Sequence, residues 1–137
     1  ETRDEHAEVG LENLARAKDC LQEFPTHHHL SGDIADLTNK ILQLTGRVDA
    51  IILDLPDHGT AINAVTKSLL DGGRLACYCP VTSQIEKAWE ACENNGLTVE
   101  WAGELMERQW GRATKGGIRP VNGPFGHTAF LLLAHKR

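Results

Sequence analysis

Val48-Asp49-Ala50-Ile51-Ile52-Leu53-Asp54-Leu55-Pro56-Asp57 is an apolar, partly β-branched run that stops at a carboxylate and a proline. A strand that is apolar on both faces belongs in the middle of a parallel sheet covered by helices, and such sheets bind ligands just beyond the carboxyl ends of their strands. Pro56 cannot donate to a ladder and pushes the residue before it out of helical geometry, so the strand ends here and the chain turns. Asp54 therefore stands on a braced corner. Its plainer reading is a cap for the helix that opens near Gly59-Thr60.

Working outward, residues 34–45 read as a helix ended by Gly46. Beyond the corner, Ala61, Val65 and Leu69 mark a third helix stopped by Asp71-Gly72-Gly73. Residues 74–80 repeat the strand-then-proline logic, with Tyr78 near the carboxyl end. Ser83 and Glu86 have capping-box spacing at the start of a helix whose apolar stripe is Ile85, Ala88, Trp89 and Cys92, and Gly96 stops it. Residues 97–105 form a strand, 106–126 a long Gly- and Arg-rich loop, and 128–134 a last buried strand. On the amino side, Ala7, Leu11, Leu14 and Leu21 recur at helical spacing over residues 4–22, with acids first and bases later, as the helix dipole favours. Pro25 breaks that helix, and residues 26–33 read as a short strand whose turn, Gly32-Asp33, falls on the same sheet edge as Asp54 if the strands are parallel.

Alternating strands and helices define an α/β layer architecture, mostly parallel, with the last two strands an antiparallel hairpin. The 137 residues form one domain at most, and 41% hydrophobic with 24% charged residues is ordinary globular usage. No apolar run approaches the roughly 20 residues of a membrane span, and the amino end does not resemble a signal peptide; the expectation is a cytoplasmic protein. Cys20, Cys77, Cys79 and Cys92 lie within helix or strand patterns and read as buried free thiols. In His27-His28-His29, only the outer two share a strand face and no third ligand stands at a natural spacing, so no metal is expected.

The formal charge of −5 hides an asymmetry. Residues 1–101 carry 8 Lys and Arg against 17 Asp and Glu, whereas residues 102–137 carry 6 against 2. Arg108, Arg112, Lys115 and Arg119 share one loop with Trp110. That combination suits phosphates and a stacked base, although a solvated surface loop has the same composition.

Several segments together resemble one family. They are Glu1-x-Arg3-x-x-His6, Gly32-Asp33, the run from Val48 to Pro56, Gly72-Gly73, Tyr78-x-Pro80-x-Thr82-x-Gln84, Glu104-x-x-x-Arg108-x-Trp110, Arg119-Pro120 and Gly126-His127-Thr128-Ala129-Phe130-Leu131. Their order is similar to the carboxyl-terminal part of the catalytic domain of the tRNA adenine-58 N1-methyltransferases, class I enzymes dependent on S-adenosylmethionine. The resemblance implies a Rossmann-like sheet and transfer of a methyl group to N1 of adenine in the T-loop of tRNA. It also implies a homotetramer whose tRNA contacts span subunits.

Residue by residue, the resemblance assigns Glu1 to the ribose hydroxyls of the cofactor, His6 to its lining, Gly32-Asp33 to its adenine, and Asp54 to the catalytic corner beside its methionyl end. It assigns Tyr78 to the target adenine, and the basic loop with Arg108, Trp110, Arg112 and Arg119 to tRNA. Two departures stand out. The family corner continues proline, any residue, proline, tryptophan, whereas Pro56 here precedes Asp57-His58-Gly59. The glycine-rich cofactor loop and the strand before it would precede Glu1, so residues 1–137 are expected to be the carboxyl-terminal portion of a catalytic domain, incomplete in its first strands and inactive alone. The altered corner leaves open a non-catalytic tRNA-binding or assembly paralogue, and the layer pattern alone leaves open another α/β nucleotide-binding enzyme.

Overall fold

The computed structural model describes residues 1–107, 109–112, 117–120 and 129–137, without the side chains of 119 and 120. The elements are α1 (Asp4–Cys20), α2 (Ile34–Thr45), β1 (Val48–Leu53), α3 (His58–Val65), a 3-10 turn (Thr66–Ser68), β2 (Leu69–Cys79), α4 (Thr82–Asn94), β3 (Leu97–Glu104), β4 (Trp110–Arg112), β5 (Ile118–Pro120) and β6 (Phe130–Lys136). The main sheet has the order β1-β2-β6-β3, with β1 parallel to β2 and β6 antiparallel to both β2 and β3. The expected closing hairpin is thus present, and its last strand lies between β2 and β3.

Local chemistry explains where the helices start and stop. The Asp33 carboxylate accepts the Ala35 N–H at 2.8 Å to open α2, and Gly46, at a φ of 71°, closes it. Asp57, not Asp54, caps α3. At α4 the Ser83–Glu86 capping box does not form, because the helix begins earlier: Val81 is the cap, and its N–H donates to the Gln84 side-chain oxygen at 3.4 Å.

The core lies where α3 and α4 meet one sheet face. Leu75, Cys77 and Cys79 alternate inward along β2 and pack with Ile62, Leu69, Ala88, Cys92, Leu132 and Ala134. The Lys136 ammonium donates to the Leu69 carbonyl at 2.9 Å and lies 3.5 Å from the Asp71 carboxylate, tying the last strand to the start of β2. The buried thiols stay protonated. Burial pushes Cys77 up to about 12 and Cys92 to about 11, and it also raises Cys79. Cys20 differs from the expectation: it lies in the exposed last turn of α1.

Four more expectations are corrected. Within this chain the Val48–Leu53 strand is not central: it forms one sheet edge, and Ile52 is 79% exposed because nothing among the described residues covers that face. Asp71-Gly72-Gly73 does not end a helix. It forms a bulge inside β2, where the pairing jumps from Val48↔Leu69 to Ala50↔Arg74 and Gly72 takes a φ of 80°. Residues 26–30 form no strand; their stretch is tied to the chain start by Gly32 N–H donating to the Glu1 carbonyl at 2.9 Å. The 106–126 segment contains a two-stranded ribbon, β4 with β5. In α1 only Ala7 of the apolar stripe is buried.

Candidate functional site

Sheet order and register assemble the site from the carboxyl ends of the parallel strands. The last β1–β2 pair is Leu53↔Cys77, so Asp54 and Tyr78 are the next residues out on neighbouring strands. Asp54 is exposed and Tyr78 is 44% exposed, so neither is buried in the core. Tyr78 also lines an open apolar groove of about 450 Å³ with Ile52, Trp101, Leu131 and Leu133 on the sheet face away from the core.

The chain start and the 30–33 turn form a second cluster. The backbone nitrogen of Glu1 approaches the Leu30 carbonyl at 3.4 Å, and the Gly32 N–H donates back to the Glu1 carbonyl, which sets Glu1, Gly32 and Asp33 side by side. Glu1 Oε1 accepts the N–H groups of Arg3 at 3.0 Å and Thr2 at 2.9 Å. The Arg3 bond, more than the Thr2 bond, holds the carboxyl below its ordinary range and keeps it ionised. The Arg3 guanidinium donates to Nδ1 of the exposed His6 at 2.9 Å, so His6 stands beside Glu1 through Arg3.

These residues fit the polar end of a nucleoside cofactor. An ionised glutamate is an acceptor-only group suited to paired hydroxyls, and Asp33 adds a second carboxylate. Gly32 has a φ of 134°, a conformation that costs a side chain dearly, and the Leu37 side chain packs against its Cα side. Among the described residues no three His, Cys, Asp or Glu side chains converge as metal ligands do, and no helix is long and apolar enough to cross a membrane.

The corner itself holds residues whose roles spacing alone does not reveal. Asp57 accepts the Thr60 hydroxyl at 2.7 Å and the Thr60 N–H at 3.2 Å. Those two bonds, the hydroxyl first, lower its pKa. Because the folded state binds this proton less readily than the unfolded chain, the contribution is complete above the ordinary aspartate value of 3.8 and is lost as pH falls through the lower folded value. In urea melts of the intact protein from pH 6 to pH 3, Asp57→Asn is expected to lower the midpoint at pH 6 and to flatten its fall in acid. An unchanged acid limb would remove Asp57 from the corner's support. His58 is buried against Cys79, and the Gln84 side-chain amide donates to the Pro56 carbonyl at 3.4 Å. The signal for His58 was visible as a departure from the family corner, but its inward orientation was not.

On the ribbon, Trp110 and Arg112 are two residues apart on one strand and therefore share a face, both exposed, with Ile118 opposite Arg112. Arg119 pairs through its backbone with Gly111. Arg108, Lys115 and the Gly126-His127-Thr128 part of the tail motif lie outside the described residues.

The interleaved strand order, with an antiparallel last strand beside a parallel pair and carboxylates at the carboxyl edge, defines a Rossmann-like methyltransferase architecture. Three solved structures share it. An S-adenosylmethionine-dependent O-methyltransferase from Thermotoga maritima is 25% identical, with a TM-score of 0.69 over 98% of this chain and 47% of that one. A structure described as a putative methyltransferase from Thermoplasma acidophilum is 28% identical, with a TM-score of 0.59 over 92% and 54%. The tRNA (m1A58) methyltransferase TrmI from Aquifex aeolicus is 25% identical, with a TM-score of 0.54 over 65% and 35%. The chain thus spans about half or less of these relatives. Residues 12–115 match the family described as tRNA methyltransferase complex GCD14 subunit, and the chain belongs to that family.

Proposed function

We propose that this chain is the carboxyl-terminal portion of an S-adenosylmethionine-dependent tRNA methyltransferase domain that modifies N1 of adenine 58 in the T-loop. The observation that carries this reading is the juxtaposition of Asp54 and Tyr78 at the ends of adjacent parallel strands, in a chain of the tRNA methyltransferase family.

Glu1 accepts the ribose hydroxyls, Asp33 the adenine amino group, and Gly32 admits the cofactor close to the backbone, with His6 at the margin. Bound S-adenosylmethionine supplies an already activated sulfonium methyl, so the protein's work is alignment and charge stabilisation. Asp54 does the second. The attacking adenine N1 is neutral and needs no deprotonation, but the methylated base is cationic. A carboxylate beside N1 and the exocyclic amino group favours that charge and accepts an amino proton. Tyr78 holds the ring of the extruded base, which must leave the folded tRNA to react.

The exposed Trp110 and Arg112 of the ribbon, with Arg108 and Arg119 of the same basic segment, steer tRNA, and a homotetramer would set such segments from several subunits beside one another. A net acidic chain then presents a local positive surface to phosphate. Changing Arg108, Arg112 and Arg119 together to alanine is expected to weaken tRNA binding and to reduce the salt slope by about 2–3. Unchanged affinity and slope in titrations at several salt concentrations would remove the ribbon from the tRNA contact.

Nucleoside mass spectrometry of tRNA incubated with the intact protein and S-adenosylmethionine tests the reaction. N1-methyladenosine is expected in a normal transcript and absent from one with guanosine at position 58. A different methylated nucleoside, or none, overturns the reading.

A further inference from the structure

His58 and Cys79 are the polarisable pair in the core nearest the site, and no step above uses either. His58 is 1% exposed although it is the first residue of α3, a place where imidazoles ordinarily reach water. Its Nε2 lies 3.7 Å from Sγ of the fully buried Cys79, within range of a sulfur hydrogen bond. Cys79 ends β2, and His58 opens the helix that follows the end of β1, so the two flank the strand ends that carry the site. His58 follows Asp54 by four positions across the Pro56 turn, and Cys79 follows Tyr78 directly. Along β2 alternate residues face opposite ways, so Cys79 points into the core while Tyr78 points out.

We propose that the buried His58–Cys79 contact is a positioning pair that cross-links the β1 corner to the end of β2 and thereby sets Asp54 against Tyr78. Gln84 is a second strut on the same corner, since its side chain joins the Pro56 carbonyl to the Val81 N–H just beyond the end of β2. The His58–Cys79 link lies beneath the turn, where packed groups hold geometry that exposed side chains at a strand tip cannot hold alone, and the Gln84 link braces the corner from the surface. At this corner the inward imidazole of His58 supplies the anchoring. Catalytic alignment is sensitive to displacements of about 1 Å, so a support that touches no substrate still sets the rate.

The proposal deepens the reading of Asp54 and Tyr78 as the reacting pair, and its test separates the two. In the intact protein, His58→Ala and Cys79→Ala are each expected to lower kcat for tRNA methylation about tenfold or more, with KM for tRNA and for S-adenosylmethionine within about twofold of wild type. His58→Gln, which restores a polar side chain of similar reach, is expected to recover part of the rate. Independently of activity, amide hydrogen exchange is expected to quicken at residues 54–58 and 78–81 in both alanine variants and to stay unchanged in the middle of α4. If His58→Ala fails to fold, Cys79→Ala, which removes only the sulfur, decides. Unchanged exchange at both strand ends, or an unchanged kcat in a folded variant, overturns the proposal. A wild-type protein that methylates no tRNA defeats the functional reading instead, and the exchange experiment then decides the positioning pair by itself.

Discussion

Asp54→Ala in the intact protein is expected to slow methyl transfer by about 10²–10⁴-fold in single-turnover reactions at saturating cofactor and tRNA, with an unchanged thermal midpoint. The size follows from the two services a carboxylate performs at N1: stabilising the charge that arrives with the methyl group and accepting an amino proton. The unchanged midpoint follows from exposure. Asp54 lies past the end of β1, outside the core, and the α3 cap belongs to Asp57. A surface substitution away from such features costs little. Transfer at the wild-type rate would remove Asp54 from the chemistry, and a collapsed melt would show that its role is structural.

Leu132→Ala is expected to destabilise the fold by about 2–5 kcal/mol, read as a lower urea midpoint. Leu132 is fully buried on β6, which pairs with β2 on one side and β3 on the other, so the cavity opens where three strands meet and cannot close by a loop shift. Trp110→Ala, at a ribbon residue 62% exposed, is expected to stay within about 0.5 kcal/mol. Equal effects at the two positions would contradict the placement of the core.

The layer order and the site's edge were legible because they rest on signals that act locally. Pro56 and Pro80 mark strand ends whatever surrounds them, and the inward alternation of Leu75, Cys77 and Cys79 is carried by a two-residue period. What pairs with what is a tertiary matter. The apolar faces of Val48–Leu53 read as central, yet the strand lies at the sheet edge with Ile52 exposed, because hydrophobicity reports which face wants cover and not whether cover is present.

Gly72-Gly73 read as a stop, since glycine signals turns and bulges alike. Only the register beside Val48 and Ala50 separates them. At the site, Asp54 and Tyr78 were placed by the strand ends they close. Asp33 and Asp57 serve as helix caps, which one carboxylate oxygen satisfies, so capping and ligand binding are compatible for Asp33. The inward turn of His58 left no pattern to read, because a histidine at the start of a helix ordinarily reaches water.

The central claim is that the acid at 54 and the ring at 78 act on the same extruded adenine. A double-mutant cycle of Asp54→Asn and Tyr78→Ala, read as single-turnover methylation rates at saturating cofactor and tRNA, tests it most directly. Residues that share one reacting group couple by about 0.5–3 kcal/mol, so the double variant is expected to lose clearly less than the product of the two single losses. Losses that multiply, or single substitutions that leave the rate untouched, would contradict it.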